Sequence, residues 1–154
     1  VSGELLNSSA WQAMSANTVR VVHRVMLEHC RHGGVENGKL PVTHADFERY
    51  GVSRNFVADA ILEAEFLGLL RCVRGGRFGE AKKASTFRLT WIGMVDSPAT
   101  NEWKAITEEM IQQWRTQRSG LREARRLRRQ AKNTPDGIHF SPPNSGVVYP
   151  LKRG

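Results

Sequence analysis

Arg54 and Asn55 are adjacent, follow Ser53, and open a stretch with helical periodicity. Each side chain is a fork of hydrogen-bonding groups. A guanidinium can donate twice to the major-groove edge of guanine, and a carboxamide can both donate to and accept from adenine. Two clusters of cations accompany this pair. From Arg71 to Arg88 six basic residues stand against one acidic residue, Glu80, and from Arg115 to Thr134 eight stand against Glu123. The whole chain carries +8, so the rest of it is net acidic. Charge concentrated in this way suits a polyanion.

Other chemistries find less support. His29, Cys30 and His32 fall at spacings that do not put three ligands on one helix face, Cys72 lies far away, and no compact ligand pair recurs, so no metal is expected. Gly75-Gly76-Arg77-Phe78-Gly79 lacks the lysine-serine ending and following helix of a phosphate loop, and neither a nucleophile elbow nor a paired-carboxylate signature is present. The expectation is a protein without catalytic activity or cofactor. Cys30 and Cys72 read as free thiols. No run approaches the ~20 apolar residues of a membrane span. The opening Val1-Ser2-Gly3-Glu4 has neither the basic nor the apolar part of a secretion signal. The expected location is the cytoplasm, in association with the nucleoid and with no membrane partner.

The elements that must position these residues follow from periodicity and capping. Ser8 caps a short helical turn, and Ser15 caps a longer helix with Val19, Val22, Val25, Met26 and His29 at helical spacing, ending near His32. Lys39 to Thr43 suits an edge strand because Pro41 interrupts it. Thr43 caps a helix from His44 to Tyr50 that Gly51 stops, and Ser53 caps the next, whose apolar face is Val57, Ala60, Ile61 and Ala64. Leu70 to Arg74 and Thr86 to Trp91 alternate as half-buried strands do, with a glycine-rich basic loop between them. Ser97-Pro98 is expected to start another helix, with Trp103, Ile106, Met110 and Trp114 as its stripe, and Ser119-Gly120 to interrupt it. Phe56, Leu62 and Phe66 are apolar where an outer helix face is polar, and are expected to receive Trp103 and Trp114 or to form a dimer contact. The stretch after Asn133 holds Pro135, Pro142, Pro143 and Pro150 without periodicity and reads as disordered.

The run Lys39-Leu-Pro-Val-Thr43, then Ala45 to Asn55, Ala60 to Leu70 and Ser85 to Trp91, resembles the winged helix-turn-helix domains of bacterial transcription regulators and of phage and plasmid replication-initiation proteins, over roughly residues 9 to 92. The resemblance implies an α+β, mostly helical fold, a winged helix-turn-helix with a C-terminal helical basic extension. Residues 1–96 would form the winged domain, 97–132 the C-terminal helix and arginine-rich segment, and 133–154 the tail. The helix from Ser53 would enter the major groove, braced by the helix before it.

The residues nominated for DNA are Thr43 and His44 on the bracing helix; Ser53, Arg54, Asn55, Ala58 and Asp59 on the reading helix; Arg74, Arg77, Lys82 and Lys83 on the wing; and Arg122, Arg125, Arg126, Arg128 and Arg129 on the extension. For Arg54 and Asn55 base contact is favoured over mere solvation or phosphate contact; any single wing residue serves equally well in a solvated basic loop, so there the grouping carries the expectation; and a solvated basic tail is the alternative for the arginine segment. The expected partner is double-stranded DNA, bound sequence-specifically by a transcriptional regulator, with a homodimer through the C-terminal helix in view. The alternatives are a replication initiator, and an interaction module whose arginines bind an acidic protein.

Overall fold

In a computed structural model of the chain, residues 1–78 and 81–133 are described. The tail expected to be disordered lies outside the described residues. The fold is α+β and mostly helical. In order it runs α1 (Gly3–Leu6), α2 (Ser9–Gln12), α3 (Ala16–Arg31), β1 (Leu40–Pro41), α4 (His44–Arg49), α5 (Arg54–Phe66), β2 (Leu70–Val73), β3 (Arg77–Phe78), β4 (Ala81–Lys82), β5 (Thr86–Leu89), a 3-10 turn (Glu102–Ala105) and α6 (Glu108–Asn133). The chain divides into two compact units after Thr116.

Side-chain caps start α2 and α3. Ser8 Oγ accepts from the Trp11 N–H at 3.2 Å, and Ser15 Oγ from that of Thr18. The closing turns also repeat. Gly51 and Val52 return their N–H groups to Glu48 and Phe47, and Gly68 and Leu69 return theirs to Glu65 and Ala64. Both are Schellman motifs, which reverse the chain within one residue. At Gly68 two demands coincide. Its φ is +66°, and a Cβ there would stand 2.7 Å from the backbone of Glu102 and Trp103, so no side chain fits.

The sheet is antiparallel with order β1-β5-β2, Phe87 standing opposite both Leu40 and Cys72. Beyond it β3 and β4 pair separately, so the segment expected as a plain loop is itself a small hairpin. The two ladders meet at Gly75, whose N–H donates to Ser85 Oγ at 3.0 Å. A Cβ on Gly75 would lie 2.1 Å from the Lys83 carbonyl.

The core lies between α3, α5 and the sheet. Val21, Val22 and Val25 meet Val57, Ile61 and Ala64, and Phe47 meets Phe87 edge-on at 5.6 Å. Asn37, buried in the turn after α3, holds the end of β5. Its Nδ2 donates to the carbonyls of Leu89 and Ile92, and its Oδ1 accepts the Leu89 N–H.

Three local expectations are corrected. Ser97-Pro98 starts no helix, because Met94 and Ser97 bond each other's backbones and the Asn101 N–H donates to Thr90 O; α6 begins ten residues later, where Thr107 Oγ1 accepts the Met110 N–H. Ser119-Gly120 does not interrupt α6. A single glycine costs about 1 kcal/mol relative to alanine, and the strong helix formers on both sides outweigh it. Ser53 occupies the N-cap of α5 without a capping side-chain bond; the Phe56 N–H, donating to Ser53 O at 2.8 Å, closes that turn instead.

Candidate nucleic-acid interface

The exposed face of α5 follows from its helical wheel. Val57, Ala60, Ile61 and Ala64 are buried, which turns Arg54, Asn55 and Ala58 to solvent. Arg54 is 85% exposed along its side chain, with Nε 4.0 Å from Glu48 Oε1. Asp59 is half-buried, not outward as the sequence suggested. It sits on the flank of the buried stripe. Phe66 stacks on Trp114 at 4.8 Å with 12° between the rings, so the later helix covers the C-terminal end of α5. Phe56 and Leu62 remain 48% and 42% exposed, and Trp103 packs in the core.

Helix α4 is held by a network centred on Asp46. Its carboxylate accepts from the Thr43 N–H at 2.8 Å and the Thr43 hydroxyl at 2.6 Å, while Thr43 Oγ1 accepts the Asp46 N–H, completing a capping box. Arg49 Nη2 approaches at 2.5 Å and Arg24 Nη2 at 3.9 Å. The Thr43 hydroxyl is the largest cause holding the Asp46 carboxyl below its ordinary range; the Thr43 N–H and the two arginines add to it against partial burial. Thr43 is thus committed to the cap, whereas His44 beside it is exposed.

Arg24 was not nominated from the sequence. It lies on the buried face of α3 between Val21 and Val25, with an 8% exposed side chain bonded to Glu28 at 2.6 Å. The signal was a cation inside an apolar stripe with an acid four residues on. Arg20, also unforeseen, donates to Gly51 O at 2.9 Å and ties α3 to the turn between α4 and α5. Glu63 likewise joins α5 to the start of α3 through the hydroxyls of Ser15 and Thr18.

The cations from Arg71 to Arg88 separate into two groups. Arg71 and Arg88 face each other across β2 and β5, and Glu102 meets both, at 2.5 Å and 3.0 Å. Burial pushes the Glu102 carboxyl up, but Arg71, Thr100 and Arg88 together outweigh it and hold it low. Arg74 pairs with Glu65 at 2.6 Å. Arg77 and Lys82 lie on β3 and β4, and their side chains fall outside the described residues. Lys83 is exposed. An open concavity of ≈ 830 Å³ brings Thr43, His44, Glu48 and Arg54 together with Gly75, Lys83 and Ser85.

In the second unit, Arg122, Arg126 and Arg128 are exposed on α6, as are Leu121 and Leu127; the side chains of Arg125 and Arg129 fall outside the described residues. Among the described residues no three His, Cys, Asp or Glu side chains gather as metal ligands, and no helix is long and apolar enough to cross a membrane. Comparison with protein-family models, curated proteins and solved structures finds no match to this chain.

Proposed function

We propose that the chain is a winged helix-turn-helix protein that binds double-stranded DNA and reads sequence with the first turns of α5. The observation that carries this reading is the solvent-facing Arg54, Asn55 and Ala58 at the start of α5, beside a concavity that Gly75, Lys83 and Ser85 also line. Arg54 can pair with guanine, Asn55 with adenine, and the Ala58 methyl can meet that of thymine. The hairpin supplies phosphate contacts through Arg77, Lys82 and Lys83, and the arginines of α6 add contacts that carry no base information. Regulator and replication initiator share this chemistry and differ in where the bound site lies.

Selection of bound duplexes from a random library, followed by salt titration of a selected and a scrambled duplex, tests the reading. The expected result is a consensus sequence and an affinity that falls linearly in log salt on both duplexes. Recovery of no consensus, together with salt-independent or absent binding, refutes it.

A further inference from the structure

An imidazole carries one N–H when neutral and two when charged. At His32 both ring nitrogens meet carboxylate oxygens: Nε2 stands 3.2 Å from Glu28 Oε1, and Nδ1 is in close contact with Glu36 Oε2. A carboxylate oxygen accepts and does not donate, so a ring with a single N–H leaves one of these contacts as lone pair against lone pair. The imidazolium completes both.

Glu28 is itself held in place. Its Oε2 takes Arg24 Nη1 at 2.6 Å, and its side chain is 13% exposed. Arg31 Nη1 lies 4.0 Å from the same oxygen, and Asp46 on α4 is 3.9 Å from Arg24 Nη2. Around the ring therefore stand Arg24, Glu28 and Arg31 from α3, Asp46 behind Arg24 from α4, and Glu36 from the turn that follows α3. His29, three residues earlier, is buried.

The contact with Glu36 closes a turn with little stiffness of its own. Gly33, Gly34 and Gly38 lie at φ 65°, 76° and 95°, and glycine loses more freedom on ordering than any other residue. Glu36 is followed by Asn37, whose side chain pairs with both backbone groups of Leu89 and with Ile92 O. A tether on Glu36 thus bears on the residue that closes β5. The hydrogen bond to Glu36 is the largest cause holding the His32 imidazole above its ordinary 6.5, and Glu28 adds to it against desolvation. With the folded value raised, the stabilisation is fully present below 6.5 and is lost as pH rises through the folded value.

We propose that His32 is a pH-operated clasp: as the imidazolium it ties the turn 33–38 to α3 and keeps Asn37 on the end of β5, and on losing a proton to water it lets that end loosen. The clasp stands whether or not the chain binds DNA.

The full ¹⁵N-labelled chain, titrated by NMR from weakly acid to weakly alkaline pH, tests it. The expected result is that His32 carries two ring protons in acid and loses one with a midpoint above 6.5. The Asn37 side-chain NH₂ and the Leu89 amide should shift with that same midpoint, and the protection of the Leu89 amide against hydrogen exchange should fall across it while that of Ile61 in α5 holds. His32→Gln should abolish the shared titration and leave Leu89 poorly protected at every pH. His32→Arg, which keeps a charge, should leave it protected throughout. Glu36→Gln, on an exposed residue, should lower the His32 midpoint, and it supplies the test if a variant at 32 does not fold. A His32 midpoint at or below 6.5, Asn37 and Leu89 signals that ignore the titration of His32, or a response of Leu89 that survives His32→Gln would overturn the proposal.

Discussion

Asn55 is uncharged and exposed on α5, whereas Arg54 stands near Glu48, and their loss should be felt differently. On the DNA-binding reading, Asn55→Ala weakens a selected duplex by ~1–3 kcal/mol and leaves a scrambled one unchanged. Arg54→Ala also leaves Glu48 facing phosphate unopposed, so it weakens both duplexes, the selected one more. Fluorescence anisotropy on both DNAs checks this, and equal losses for Asn55→Ala would show that it reads no base. Asp46 lends itself to a pH test. Its folded pKa is lowered, so its stabilisation is fully present above the ordinary value of 3.8 and is lost as pH falls through the folded value. Asp46→Asn should therefore cost about 1 kcal/mol at neutral pH, and the gap between variant and parent should close in acid. Urea unfolding at both pH values measures it, and a gap independent of pH would remove the carboxylate from the account.

Among the elements, the segment from β2 to β5 holds cations tied to carboxylates, Arg71 and Arg88 with Glu102 and Arg74 with Glu65, and on the DNA-binding reading the others meet phosphate. Neutralising Arg77, Lys82 and Lys83 together should flatten the dependence of affinity on log salt by about 0.9 for each phosphate no longer neutralised. Arg71→Gln should leave that slope unchanged, because Arg71 is occupied by Glu102. An equal effect from both variants would mean that the two groups are not distinct. The sequence carried α3, α4 and α5 plainly: serine and threonine caps, apolar residues at three-to-four spacing, and glycine at the turns are local signals, and the helices obey them. It did not carry Glu102 meeting Arg71 and Arg88, or Asn37 closing the end of β5. Such pairings join residues far apart in the chain, and no periodicity encodes them. The helix expected at Ser97-Pro98 fails for the same reason, since backbone bonds to Thr90 and Met94 override a local preference. At the candidate site the outward residues of α5 were legible from the wheel, but which cations between β2 and β5 are paired with carboxylates was not.

At the scale of the whole molecule, the first unit ends after Thr116 and includes the Phe66–Trp114 stack and the bond from Arg115 to Ala13 O at 2.9 Å. A chain ending at Ser119 retains all of these. It should fold, and on the DNA-binding reading it should keep its base preference and bind every duplex more weakly, since arginines that meet phosphate add affinity without reading bases. Sedimentation of both lengths, with binding to single and paired half-sites, checks this. A fall in mass from dimer to monomer, with paired-site binding lost most, would make the removed part an assembly element instead.

One carboxylate, Glu102, answers two guanidiniums on paired strands, and on the DNA-binding reading this sets stability and affinity against each other at a single position. Glu102→Gln leaves Arg71 and Arg88 opposed across β2 and β5, where like charges repel, and sends two released cations to the surface of a molecule already at +8. Melting temperature and affinity for scrambled DNA should then move in opposite directions, the first down and the second up, and a variant in which both fall would contradict it. If the chain binds DNA as proposed, a change at this residue that tightens the hold also loosens the sheet that Glu102 ties together.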